Sequence, residues 1–150
     1  MKKIISYLVF YILQFSYGII MNVIGLLVAI FMLLTFHKPH KFGPSVVFIT
    51  KIMNGSGISF GMFFLVGEEY DDYVIHHESG HGIQNIIFGP LFLFLVGIPS
   101  IIRYWYREFK YYRKGLDPKT EYDDIWFEGQ ATKLGKKIYK IKWGEFLWQN

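Results

Sequence analysis

Two imidazoles and a carboxylate sit within five residues, His77-Glu78-Ser79-Gly80-His81, in a chain otherwise dominated by apolar side chains. On a helix, His77 and His81 stand four residues apart, so both project from one face about one turn apart and can share an ion. Glu78 lies one residue round from His77, close enough to handle a water at that ion without being a ligand. Zinc lowers the pKa of such a water to about 7, and the carboxylate takes its proton as the water attacks a polarised carbonyl. The spacing thus points to Zn2+ held by His77 and His81, with Glu78 as the catalytic base. A competing reading is that a helical histidine beside apolar residues is simply a satisfied core residue, and His76 is read that way. It fits the pair less well, because three ionisable groups next to the apolar stretch Ile83 to Ile102 are costly without a shared purpose.

A catalytic zinc needs a third protein ligand. The chain contains no cysteine, which excludes disulfides and thiolate ligands and leaves His, Asp and Glu. The downstream acidic candidates are Asp117, Glu121, Asp123, Asp124, Glu128 and Glu145. Asp123-Asp124 can cap a helix running from Ile125 through Leu134 to a C-terminal Gly135. Glu128 falls in its first turns and is the favoured ligand; Asp124 is second, and an exposed surface Glu is the ordinary alternative.

Other elements must hold these residues in place. Asp71-Asp72 offers N-caps, with the right charge, for the helix that carries the motif. Upstream, after a loop HKPHKFGP, Ser45 to Ile52 and Ile58 to Val66 are rich in β-branched and aromatic residues and are separated by Asn54-Gly55-Ser56-Gly57, which reads as a β-hairpin. Gly80 costs its helix about 1 kcal/mol relative to Ala, so another backbone is expected close by, and the hairpin edge is the expected neighbour.

The composition sets the environment. A hydrophobic fraction of 52% with 20% aromatics is high for a soluble chain of 150 residues, a length that allows about one domain. No charge occurs from Ile4 to Phe36, a run long enough to cross a roughly 30 Å hydrocarbon core. It reads as a retained membrane anchor, because it is too long for a signal peptide and lacks an A-x-A pattern. Gln14, Tyr17-Gly18 and Asn22 divide it into an interfacial piece and a spanning piece from Gly18 to Phe36. A long buried helix of a soluble domain is the alternative. The net charge of +4 resides in Lys and Arg at the two ends and between Arg103 and Lys114, beside Tyr104-Trp105-Tyr106. This fits anionic lipid headgroups, with Arg103, Arg107, Lys110, Arg113 and Lys114 facing phosphates, better than nucleic acid. An ordinary amphipathic surface helix would show the same pattern.

The run Gly82 to Ile102 is also uncharged and, if it spanned a bilayer, would separate the motif from Glu128. Pro90 removes a backbone donor and favours a kink, leaving Leu91 to Ile102 at about 18 Å, too short to span alone. The segment is therefore expected to form a kinked helix or helical hairpin, partly inserted or packed on the anchor.

The stretch HESGHGIQNIIFGPLFLFLVGIPSII resembles the H-E-[YS]-G-H-x-x-Q…G-P-L-Y-L…G-[IL]-P-S segment of small zinc metallopeptidase-like proteins common in Bacteroidota. The preceding GISFG is similar to their G-[IV]-S-L-G strand, and Trp126 to Gly135 to their W-x-E-x-x-A-[ND]-x-L-G element. The resemblance covers about residues 55 to 135. It implies a gluzincin-like zinc site with Glu128 as third ligand. Thr132 replaces the Asn or Asp of that element, so a hydrogen bond to a ligating His is expected to be weaker or made differently.

The expected fold class is α+β, a minimal zincin-like domain over residues 38–150 with a membrane anchor over residues 1–37. The expected function is that of a zinc metallopeptidase in a bacterial inner membrane, with peptide or protein substrates and membrane lipid as partners. The alternative class is a non-catalytic membrane protein or interaction subunit with a structural or degenerate metal site.

Overall fold

The computed structural model describes residues 2–53 and 55–138. Two apolar helices, α1 (Lys2–Ser16) and α2 (Ile19–Leu34), meet at Tyr17-Gly18 with a bend of 96°. The break falls where the sequence placed it. Among the described residues, no single helix is long and apolar enough to cross a membrane; the 16 residues of α2 span about 24 Å at 1.5 Å per residue. On α2, Met21, Asn22, Gly25, Ala29 and Met32 recur at helical spacing and are buried, whereas Val23, Leu27, Phe31 and Leu34 on the rest of its surface are exposed.

Four strands follow, β1 (Pro39–Phe42), β2 (Ser45–Thr50), β3 (Gly57–Phe60) and β4 (Phe63–Gly67), in the spatial order β1-β2-β4-β3. β2 and β4 are parallel, and the two outer pairings are antiparallel. This corrects the hairpin expected between Ser45–Ile52 and Ile58–Val66. The second run is itself a hairpin, folded at Gly61 with φ +68°, and its return strand inserts beside β2 in parallel. The segment expected to be a loop, HKPHKFGP, supplies β1, which pairs with β2 through the turn at Gly43-Pro44.

Alternation along the central pair explains why these strands are apolar throughout. Val47, Phe64 and Val66 face the core shared with Ile75 and Ile83 of α3 (Asp72–Phe88). Phe48, Val46, Phe63 and Leu65 face Ala29 and Met32 of α2. Both faces of the sheet are covered, as a parallel pair requires.

After α3 the chain turns by 119°. Gly89, with φ +53°, ends α3, and Pro90 opens a 3-10 turn. A π-helical stretch, Leu93–Gly97, leads into α4 (Ile98–Lys110). The kink expected at Gly89-Pro90 is present. The remaining described helix, α5 (Trp126–Ile138), packs against α3, and its Phe127 joins Met21, Phe92 and Val96 in a third core. α5 passes through Gly135 rather than ending there. The Glu145 candidate lies outside the described residues.

Candidate metal centre

The N-terminus of α3 is fixed as expected: the Asp71 side chain accepts from the Val74 amide at 2.9 Å. This sets the phase at which His77, Glu78 and His81 enter the interior, each about 5% exposed. α5 delivers Glu128, which is fully buried. What allows the two helices to approach is Gly80, since a Cβ there would lie 1.9 Å from the Ala131 carbonyl oxygen. The close backbone neighbour is therefore α5, not the edge of a hairpin.

Glu128 Oε2 lies 3.0 Å from His77 Nε2 and 3.2 Å from His81 Nε2. A tetrahedral zinc with bonds of 2.0–2.1 Å has donor–donor edges of about 3.3 Å, so both carboxylate–imidazole separations are already close to the required edge. Two neutral imidazoles and one carboxylate are also a donor set suited to zinc. One donor atom from each of His77, His81 and Glu128 fall within 4.8 Å of one another, and among the described residues this is the one such group that could hold a metal ion. Asp124 is turned away: its carboxylate accepts from the Glu121 amide at 3.0 Å while Glu121 caps the same 3-10 turn in return. Both are thereby removed as ligand candidates.

The far nitrogen of each imidazole is held. His81 Nδ1 meets Gln84 Oε1 at 2.7 Å. The Gln84 amide is oriented by donating to the Phe127 carbonyl and to Gln130 Oε1. His77 Nδ1 meets Thr132 Oγ1 at 2.8 Å. With a metal bound, each Nδ1–H would donate outward and both Nε2 lone pairs would face the ion. Ser100 on α4 donates to Glu128 Oε1 at 2.6 Å, leaving Oε2 for the metal.

Electrostatics follow from this packing. Burial pushes the Glu78 carboxyl above its ordinary value, opposed by His81 and His77, the direction that suits a general base working near neutrality. Burial alone would raise Glu128 as well, yet the hydrogen bonds from His77 and His81 outweigh it and hold that carboxyl far below the usual range. For His81, burial favours the neutral ring, but the Glu128 hydrogen bond and the Glu78 charge lift it above its ordinary value. Burial and the charge of Glu128 keep the Tyr122 hydroxyl protonated.

Sequence reasoning missed Ser100, Tyr122, Tyr73 and Gln84 as parts of the site. Ser100 and Gln84 stood inside the matched segment as its terminal Ser and its Gln, whereas nothing local marked the tyrosines. His76 turns out of the site, with its ring edge-on to Phe42 and Nδ1 at 2.6 Å from the Asp72 carbonyl. Two of the cations expected at lipid phosphates also turn inward. Arg107, 6% exposed, donates to the Thr120 and Glu121 carbonyls, and Arg103 donates to those of Glu121 and Tyr122. They fasten the loop before α5 to α4.

No family model, no curated protein and no solved structure matches this chain.

Proposed function

We propose that this protein is a membrane-associated zinc metallopeptidase that cleaves peptide bonds with Glu78 as general base. The observation that carries the reading is the buried convergence of His77, His81 and Glu128, with Glu78 between the two histidines on α3. When bound, zinc supplies an acidified water and a Lewis acid for the scissile carbonyl. Glu78 takes the proton of the attacking water and returns it to the departing amine. Its side chain is held against β3, where a Cβ on Gly57 would come 2.5 Å from Glu78 Cγ. Membrane association is supported by the exposed apolar surface of α2 and by Leu91, Phe94, Ile101 and Ile102.

Burial of all three ligands favours one other reading, a structural ion in a non-catalytic membrane protein. Structural zinc sites are closed by four protein ligands. Among the described residues the group contains three, and Glu78 is not among them, which favours catalysis. Chelator-free protein in detergent should contain one zinc per chain and cleave a quenched-fluorescence peptide library. Glu78→Gln should keep the zinc and lose at least about a hundredfold in rate, the usual contribution of a general base. A chain that binds zinc stoichiometrically and cleaves nothing in the library, with Glu78→Gln indistinguishable from wild type, would establish the structural reading.

A further inference from the structure

The two arms joined by the 119° turn, α3 and α4, both run from a charged end to an apolar one that meets at the turn. α3 begins beside the exposed Asp71 and Asp72 and closes with the exposed Ile87. At the turn itself Leu91, Phe94 and Leu95 are exposed. Along α4 the order is reversed: Ile98 and Ile102 come first, then Tyr104, Trp105 and Tyr106, then Phe109. Lys110 ends the helix, and Arg113 and Lys114 follow it, all three exposed. At 100° per residue, Ile98, Ile102, Trp105 and Phe109 form one stripe, opposite Ser100, Arg103 and Arg107, which bond inward to the protein.

Aliphatic, then aromatic, then cationic is the order of chemistry met on leaving a bilayer through hydrocarbon, headgroup boundary and lipid phosphate. A protein partner would not require that gradient along one helix. The charge fits as well. Glu108, the one acid on α4, is tied to Arg113 at 3.6 Å, so the exposed end remains cationic. The turn is also built as hydrocarbon demands, where irregular backbone is not tolerated. Its backbone stays helical, 3-10 over Gly89–Leu91 and π over Leu93–Gly97, and Pro90 has no amide to satisfy.

The metal centre stands where this apolar region ends. The charge-free run Gly82 to Ile102 starts next to His81 and stops next to Arg103. The centre touches α3 at His81 and, through Glu128, α4 at Ser100. From Ser100 the helix rises about 8 Å to Trp105 and about 15 Å to Lys110, at 1.5 Å per residue.

We propose that the α3–α4 turn dips into the bilayer from one side without crossing it, with Tyr104, Trp105 and Tyr106 at the headgroup boundary, and that the metal centre therefore lies just beneath that boundary and acts on membrane-anchored polypeptides, where they leave their apolar segment. The substrate class rests on the peptidase reading; the dip does not. α2 carries the larger exposed apolar surface, so the dip sets depth rather than attachment.

The chain has no cysteine, so single introduced thiols can carry a nitroxide in the full chain, reconstituted in phosphatidylcholine–phosphatidylglycerol vesicles. Phe94→Cys, Ile102→Cys, Phe109→Cys and Lys114→Cys all replace exposed side chains. Collision of each label with dissolved oxygen and with a water-soluble nickel chelate should place Phe94 deepest and Lys114 in water, with Ile102 and Phe109 up to about 10 Å apart in depth, the rise of the helix between them. Four labels equally open to the nickel chelate, as on a surface that another protein covers, overturn the dip and the substrate class together. So does a depth that stays constant along α4, as in a helix lying flat on the membrane. The substrate class is read with one peptide library joined to a leucine-rich transmembrane segment, either directly or through a polar spacer of about 12 residues, roughly 40 Å when extended. Both forms concentrate equally at the membrane, so a difference between them reports depth. The directly joined library should be cut near the end of its apolar segment, and the spaced one should lose most of that cleavage. Equal cleavage of the two overturns the substrate class and leaves the dip. A graded depth in a chain that cleaves neither form, nor the soluble library, supports the dip and overturns the peptidase reading.

Discussion

Glu128 is held by every group that a metal ligand in this position would need. Its Oε1 is occupied by Ser100, its Oε2 faces both imidazoles, and it is sealed from solvent. Glu128→Ala therefore leaves two imidazoles, an incomplete set, and zinc affinity should fall far more than in Asp124→Ala, whose side chain only caps a 3-10 turn. Glu128→Gln should fall between them, since a neutral amide oxygen is a poorer ligand for a dication. Chelation should lower the thermal midpoint of wild type and hardly move that of Glu128→Ala, because the ligand ties α5 to α3 and makes metal binding energy available to folding. One zinc per chain in Glu128→Ala with an unchanged chelator response would displace it from the site. His77, Glu78 and His81 were legible in the sequence because four-residue spacing on one helix is a local property. Glu128 was legible from its place in a capped helix and from its motif. Tyr73 and Tyr122, whose rings pack on His77, were not, since their place beside the site depends on how α5 and the loop before it pack against α3, and no short-range pattern encodes that.

At the scale of elements, the α3–α5 contact decides whether a site exists. Gly80 is costly in a helix by about 1 kcal/mol relative to Ala, so propensity alone predicts that Gly80→Ala stabilises. The Ala131 carbonyl in the way is backbone and cannot swing aside. Overpacking of this kind costs about 1–3 kcal/mol and exceeds the helix gain. Gly80→Ala should lower the thermal midpoint and weaken zinc binding together, because moving α5 back withdraws Glu128 from the histidines. A more stable variant with intact zinc affinity would show that the helices are not in contact there. The sequence reading anticipated a close backbone at Gly80 and misassigned it. A glycine reports that something approaches and carries no information about what. The strand pairing was misread for a related reason: Ser45 to Ile52 and Ile58 to Val66 look like hairpin partners by composition, while the +68° backbone at Gly61 makes a separate hairpin of the second run. Near-continuous apolar character signalled burial on both faces, the mark of a parallel pair, and alternation along each strand still sorts its residues between α2 and α3.

For the molecule as a whole, α1 and α2 act on two fronts. Inward, the fully buried Gln14 donates to the Gly82 carbonyl of α3 at 2.8 Å and accepts from Asn22 and Asn85, while the Asn22 side chain also accepts from the Met62 amide. This polar lock ties the two helices to the motif helix and to the β3–β4 turn. Removing residues 1–36 would strip one face of the sheet and leave these buried groups unpaired, at about 1–3 kcal/mol each, so aggregation is the expected result and deletion is a poor probe of membrane binding. Outward, α2 presents Leu27, Phe31 and Leu34, each at least 60% exposed, and charges placed there leave the lock untouched. If this surface lies in lipid, each Glu costs up to about 3 kcal/mol by insertion measurements, on top of roughly 1.5–3 kcal/mol of lost apolar burial per side chain. The combined variant Leu27→Glu, Phe31→Glu, Leu34→Glu should consequently leave the membrane fraction under alkaline extraction while keeping one zinc per chain. Single substitutions should give graded release, since the losses at neighbouring positions on one helix face accumulate. Retention of the triple variant in the membrane fraction would shift the main lipid contact to Leu91 through Ile102, and release of wild type under the same conditions would argue that another protein covers the α2 surface.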